Sequence, residues 1–175
     1  ILLVMVLLAL FASNITPYNP ELVTPALRFR PPDALYLFGT DDFGRDVFTR
    51  IAYGARLSLL VGIISVSIAA SIGVTLGIIA GYYGGVLDTV IMRLIDVMMA
   101  FPGILLALVI VAVLGRSLPN VMIAVGISAI PVYTRMARGT TLSLKNMDYV
   151  TAARALGAPN SRIMGLHILP NILAP

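Results

Sequence analysis

An all-α, polytopic transmembrane bundle is the fold class predicted by three features of this 175-residue chain: its composition, the spacing of its charges, and the placement of its prolines and glycines. Hydrophobic residues make up 59% and charged residues 11%, against roughly 45–50% and about 25% in soluble domains, and the mean hydropathy is +0.98. These values exclude a water-soluble globule. Lys and Arg number 12 against 8 Asp and Glu, and the pI near 9.8 would suit nucleic acid only if the basic residues formed a patch. They lie instead in short segments between apolar runs, so membrane lipid is an expected partner and nucleic acid is not. With no cysteine and one histidine, a disulfide framework, a thiolate metal site and a histidine cluster are ruled out. No catalytic, cofactor-binding or metal-binding residue is identified.

The elements follow from the distances between charges, because a span needs about 20 mainly apolar residues and a mid-bilayer charge costs about 2.5 kcal/mol or more. Arg56 and Asp88 enclose 31 uncharged residues, Asp96 and Arg116 enclose 19, and Arg116 and Arg135 enclose 18. Three spans fit, at about 57–81, 88–114 and 119–138. The second begins with charged residues at a water-accessible end and should kink or break near Phe101-Pro102; Pro131 should bend the third. Residues 1–12 are too short to cross alone. A span cut at its start, a signal peptide and an interfacial helix are the readings open to them; the lack of a basic leader favours the cut span. A chain that starts at Ile1 and stops soon after an apolar segment begins is expected to be a piece of a longer protein.

Lys and Arg gather in cytoplasmic loops. Residues 134–165 carry Arg135, Arg138, Lys145, Arg154 and Arg162 against the single acid Asp148, whereas 13–56 carry five Arg against five acids. The first segment is therefore placed in the cytoplasm and the second outside. Along the first span, Ser65, Ala69, Gly73, Gly77 and Gly81 recur every four residues, lining one helix face with small side chains that admit a neighbouring backbone. That neighbour is either another helix of the chain or another subunit.

Three groups of residues remain as candidates. Asp88, Arg93 and Asp96 sit at the inner interface, with Arg93 able to pair with Asp96 three residues on. They make either a proton or ion pathway or a helix N-terminus stabilised by Asp88 next to an Arg93–Asp96 pair. Outside, Gly39-Thr40-Asp41-Asp42-Phe43-Gly44-Arg45-Asp46-Val47 lacks the ligand spacing of a calcium loop and the Gly-Lys-Ser/Thr of a phosphate loop. It reads as a polar turn leading into an amphipathic stretch, 47–57, with contact to an external partner open. Inside, Asp148-Tyr149-Val150-Thr151-Ala152-Ala153-Arg154-Ala155-Leu156 should form a helix stopped by Gly157 at the C′ position. Pro159 can then open a second short helix limited by Pro170. This basic, sterically slim elbow suits either a groove in another protein or an anionic lipid surface.

The elbow resembles the EAA loop of binding-protein-dependent ABC importer permeases, whose pattern is Glu-Ala-Ala, three residues, Gly, nine residues, Ile, one residue, Leu-Pro. Ala152, Ala153, Gly157, Leu169 and Pro170 match it in spacing, while Thr151 stands at the Glu position and His167 at the Ile position. The segments Gly39–Val47 and Tyr53-Gly54-Ala55-Arg56 resemble the dipeptide, oligopeptide and nickel branch of that family. So do Gly81-Tyr82-Tyr83-Gly84-Gly85, Met92-Arg93 with the two acids, Phe101-Pro102 and His167-Ile168-Leu169-Pro170-Asn171.

The resemblance covers 36–175. It implies a type I importer permease bundle lacking its last helices, with 1–12 as the end of a first span, 13–56 external and 57–175 the permease core. The coupling loop would occupy about 146–170. It further implies a second homologous permease, an external substrate-binding protein, and two cytoplasmic ATPase subunits that carry ATP and magnesium and receive this loop in a groove. The solute would be a peptide, a nickel chelate or a related small molecule. No Walker A element is present, so the chain should not hydrolyse ATP itself.

Two other classes compete. A proton- or sodium-coupled carrier should contain inverted repeats with interrupted helices at matched positions, and none is found. A membrane scaffold would keep the packing stripe yet tolerate changes in the elbow.

Overall fold

The computed structural model describes residues 2–173, so Ile1, Ala174 and Pro175, at the ends of the expected first span and permease core, lie outside it. Among the described residues the fold is all-α; the sole ladder contact is an isolated antiparallel bridge between Thr40 and Asp46. Two compact units are formed, Ile1–Ile63 and Ile64–Pro175.

In the first unit, α1 (Leu2–Ile15) is wholly apolar until its last turn and, at 14 residues, too short to cross a bilayer alone. It extends past the expected end at residue 12. An irregular segment with one 3-10 turn, Pro25–Leu27, leads to α2 (Val47–Tyr83). That helix has 37 residues, or about 55 Å at ~1.5 Å per residue, far more than the hydrocarbon thickness of ~30 Å. Charge spacing marks where a helix can enter lipid rather than where it starts, so the expected 57–81 captures only the uncharged part of α2. The preceding ten residues are helical too.

In the second unit, α2 ends at Tyr83, and after Gly84 α3 (Gly85–Met99) follows. The chain then breaks at Ala100–Pro102 and continues as α4 (Gly103–Leu114), turned by 89° from α3. Pro102 has no N–H to donate and forces its predecessor out of the helical region, and its own backbone is extended at φ −54, ψ 130. Of the kink or break expected near Phe101-Pro102 within 88–114, the chain takes the break, leaving two helices at nearly a right angle.

The Asn120 side-chain amide donates to the Leu114 and Gly115 carbonyls at 2.7 and 3.0 Å, closing α4. The Ser117 side chain caps α5 (Leu118–Leu144) by accepting from the Asn120 N–H. Pro131 lies inside this uninterrupted helix, and α5 runs past the expected end at 138. Among the described residues two helices are long and apolar enough to cross a membrane, and the α3–α4 pair is a third if it forms one broken span.

The stripe of small residues faces α5 of the same chain. Ser65 Oγ donates to the Met122 carbonyl at 2.9 Å, and Ala69 is fully buried. A Cβ built on Gly73 would stand 2.7 Å from the Tyr133 Cβ, and one on Gly81 would stand 2.8 Å from the Thr141 Cβ. Gly126 of α5 returns the contact, its notional Cβ falling 2.9 Å from the Ile68 Cβ. Close backbone approach of this kind substitutes for the hydrophobic drive that lipid cannot supply between helices.

Candidate functional site

The loop after α5 folds as an elbow. Its first arm, α6 (Asp148–Ala155), ends at Gly157, whose φ of +82° only glycine adopts without cost. The Gly157 N–H donates to the Arg154 carbonyl at 3.0 Å and the Ala158 N–H to the Ala153 carbonyl at 3.1 Å, the paired bonds of a Schellman closure. Thr151 Oγ1 donates back to the Met147 carbonyl at 3.1 Å, which also accepts the Thr151 N–H at 3.0 Å.

The second arm is α7 (Asn160–Arg162), a π turn over Ile163–Ile168, and α8 (Leu169–Ile172). Pro170 was expected to limit this arm; instead the helix runs past it to Ile172. The physical reason is the π turn. Pro170 cannot donate to the carbonyl four residues back, and its ring crowds that position. The widened turn relieves the crowding, with the Leu169 N–H reaching the Met164 carbonyl five residues back. The Asn171 side-chain amide takes up the His167 carbonyl at 2.8 Å.

The elbow is anchored by apolar burial. Val150, Ile163 and Ile168 are fully buried in one cluster with Val74 and Ile78 of α2 and Ala137 of α5, and Leu169 packs on its edge. Each such side chain contributes about 1.5–3 kcal/mol when buried. Val74 and Ile78 each follow a stripe glycine, Gly73 and Gly77, so the elbow rests beside the close-packed α2–α5 seam. Polar contacts reinforce it. Tyr82 Oη donates to Asn160 Oδ1 at 2.8 Å, Lys145 Nζ donates to the Gly81 carbonyl at 2.9 Å, and the Arg154 guanidinium lies 5.7 Å from the Tyr82 ring centroid.

Thr151, Ala152, Gly157 and Pro170 face outward, and Ala153 is half-buried. Leu156, which the sequence reading did not single out, is 89% exposed at the turn. Its signal was available: a leucine immediately before a helix-stopping glycine is left at the apex unless something covers it.

The charged group beside α3 is arranged differently from its expected pairing. Asp88 binds Arg138 through two bonds, Nε to Oδ1 at 2.5 Å and Nη2 to Oδ2 at 2.6 Å, and Asp96 accepts from Arg135 at 2.6 Å. Arg93 pairs with neither acid and forms no ion pair among the described residues, although it lines a shallow cleft of about 210 Å³ with Asp88, Asp96 and Arg138. Asp88 and Asp96, eight residues apart, share the α3 face that packs on α5, where Arg135 and Arg138 are three apart. The tertiary neighbour, with a rigid bidentate fork, outcompetes the local one.

The segment before α2 holds itself together. Asp41 Oδ1 accepts from the N–H groups of Phe43 and Arg45 at 2.9 and 3.0 Å, while Oδ2 accepts from Arg45 Nε at 2.8 Å and Arg50 Nη1 at 2.5 Å. Burial pulls the Asp41 carboxyl upward, but the Arg45 and Phe43 amides and the two guanidiniums outweigh it and hold it well below the ordinary carboxylate range. Thr40 accepts from the Arg30 N–H at 2.9 Å and donates to the Leu27 carbonyl. Asp46 Oδ2 caps the start of α2, accepting from the Thr49 N–H and hydroxyl at 2.8 and 2.5 Å. Gly39 and Gly44, both at positive φ, lie so close to the Arg30 and Thr24 carbonyls that neither leaves room for a Cβ. Among the described residues no three acidic or histidine side chains converge to hold a metal ion.

Elbow, stripe and α3–α5 charges thus lie together in the second unit, and the Gly39–Val47 motif belongs to the first. Residues 73–175 match the family described as Binding-protein-dependent transport system inner membrane component. The dipeptide transport system permease protein DppC of Alkalihalophilus pseudofirmus is 50% identical over 170 residues, which is 97% of this chain and 56% of that protein. Its counterpart from Haemophilus influenzae is 43% identical over 180 residues, 99% of this chain and 61% of that one. The glutathione transport system permease protein GsiD of Escherichia coli is 44% identical over 173 residues, 98% of this chain and 57% of that one. The chain therefore spans less than two thirds of the length of each of these relatives.

Proposed function

Because the chain belongs to the binding-protein-dependent transport system inner membrane components, we propose that it is part of the passage-forming permease of an ATP-driven peptide importer, coupled to its motor through residues 146–170. It is a multi-pass inner-membrane protein, with helices apolar enough to cross the bilayer. Its relatives are named for dipeptides and glutathione, both small peptides, which favours a peptide over a nickel chelate as cargo. An external binding protein would deliver that cargo, a second homologous permease would complete the passage, and two cytoplasmic ATPase subunits would bind ATP and magnesium. This chain would contribute no hydrolytic group.

One contrast carries the reading: Val150, Ile163 and Ile168 are fully buried against α2 and α5, whereas Leu156 at the elbow's turn stands 89% exposed. An element so anchored moves with the helices beneath it, and an exposed leucine at its apex is what an apolar groove on a motor subunit would take up. Closure of the ATPase pair would push the apex, and the buried cluster would pass that displacement to the α2–α5 seam.

The test is Leu156→Asp in the complete complex, reconstituted in proteoliposomes. The permease should assemble and remain folded, because Leu156 packs on nothing, while motor binding and ATP-dependent uptake fall at least ten-fold. Undiminished uptake, or labelling of the elbow from the side opposite the cytoplasm, would remove the coupling assignment.

A further inference from the structure

The first unit contains an apolar groove of about 650 Å³ whose walls come from both of its helices. Val6 and Leu10 of α1 form one side, with Ala9 at the floor, and Leu57, Leu60 and Ile63 of α2 form the other. Polar lining is confined to Tyr53 and Arg56, one turn apart on α2. Arg56 is exposed, forms no ion pair among the described residues, and is the last charged residue before 31 uncharged ones. A tyrosine and an arginine at the edge of a long apolar run sit where a bilayer's hydrocarbon gives way to its headgroups. With Tyr53 and Arg56 at that level, the groove below them falls at hydrocarbon depth.

From this arrangement we infer that the groove is a binding site for an acidic phospholipid, one acyl chain lying between α1 and α2 and the headgroup phosphate on the Arg56 guanidinium. Charge complementarity selects this occupant. The lining offers one cation and no carboxylate, so a headgroup of net negative charge leaves the site neutral, whereas a zwitterionic headgroup brings an ammonium that the lining cannot pair. A guanidinium presents a planar fork that matches phosphate oxygens, and Tyr53 provides a hydroxyl at the same level. An apolar protein helix would fill the hydrocarbon part equally well but would bring no anion to Arg56. The site is separate from the elbow and plays no part in the coupling reading above.

The complete complex, purified in nanodiscs of mixed phosphatidylglycerol and phosphatidylethanolamine, tests this by quantifying the lipid retained after detergent exchange. Wild type should retain phosphatidylglycerol selectively. Arg56→Gln should lower that retention about ten-fold, as expected for loss of one charge-assisted hydrogen bond, and Arg56→Lys should restore most of it. Leu60→Trp, which fills the groove while keeping the charge, should also expel the lipid; chromatographic assembly of each variant shows that it is folded. Equal retention of the two lipids, retention unchanged by Arg56→Gln in an assembled complex, or photo-crosslinking from position 60 to a polypeptide instead of lipid would each overturn the inference.

Discussion

Gly77 and Thr134 touch backbone to backbone: a Cβ built on Gly77 would stand 2.5 Å from the Thr134 carbonyl oxygen and 2.7 Å from the Ala137 Cβ. No side-chain rotation relieves a clash with a carbonyl oxygen. Gly77→Ala must push α2 and α5 apart, and we expect a loss of about 1–3 kcal/mol, the usual cost of overpacking, read as a lower thermal midpoint of the solubilised complex. Gly62→Ala, on the same helix with open space around it, should be neutral or gain about 1 kcal/mol in helix propensity. Equal effects at the two positions would dissolve the seam as a close-packed contact.

Asp88–Arg138 and Asp96–Arg135 look alike in sequence but differ in burial. The side chains of the first pair are 18% and 31% exposed, those of the second 51% and 47%. An exposed pair contributes about 0–1 kcal/mol, whereas removing one partner of a pair shielded from water strands the other. Asp88→Asn should therefore destabilise by about 1–3 kcal/mol, and Asp96→Asn by under about 1 kcal/mol. The double variant Asp88→Leu with Arg138→Met should recover much of the loss, because no charge is then left alone. A thermal double-mutant cycle measures the coupling directly; no difference between the two asparagine variants would contradict the burial argument.

These two cases also mark how far residues alone can carry the fold. The all-α class follows from composition, and the every-four spacing of Ser65, Ala69, Gly73, Gly77 and Gly81 defines a helix face before any partner is known. The partner itself is not local information, so the stripe's contact with α5 required the fold. Asp96 illustrates the same limit: Arg93 is the only cation within helical reach, yet Arg135, 39 residues away, takes the carboxylate. Pro170 misled for a different reason. Proline stops a helix only if the chain keeps α geometry, and a π turn just before it removes that premise. At the elbow the motif spacing identified Gly157, but Leu156 matters through its exposure, which no spacing encodes.

Asp41 gives the segment before α2 a pH dependence of defined sign. Its folded-state affinity for a proton is depressed, so the unfolded segment binds the proton more readily and stability rises with pH where the two differ. The contribution is fully present above the unfolded carboxylate value of about 3.9 and is lost as pH falls through the lower folded value. Hydrogen exchange of the amides of Phe43 and Arg45 should thus stay slow from pH 7 to about 4 once corrected for intrinsic rates, and protection should be lost only in stronger acid. Asp41→Ala, which removes the oxygen that accepts from both amides, should expose these amides at every pH. Loss of protection in wild type already at pH 5 would be incompatible with the cage of donors around Asp41.

Gly157 separates a conformational requirement from a steric one. Nothing lies within 4 Å of a Cβ placed there, so a substituted side chain has room and the entire cost comes from φ +82°. That cost is about 1–2 kcal/mol for most L residues and smaller for asparagine, which visits the left-handed region more readily. Gly157→Asn should therefore keep the Schellman closure and most ATP-dependent uptake, Gly157→Ala should lose several-fold, and Gly157→Val should lose most because branching at Cβ makes this backbone region harder still. Gly157→Asp adds a negative charge at an apex flanked by Arg154 and Arg162 and should impair motor docking beyond its backbone cost. Uptake ranked Asn, Ala, Val in proteoliposomes, with permease assembly constant, would tie transport to the elbow's turn geometry. A ranking by side-chain volume, with asparagine no better than valine, would point to a packed surface at this position and contradict the open apex.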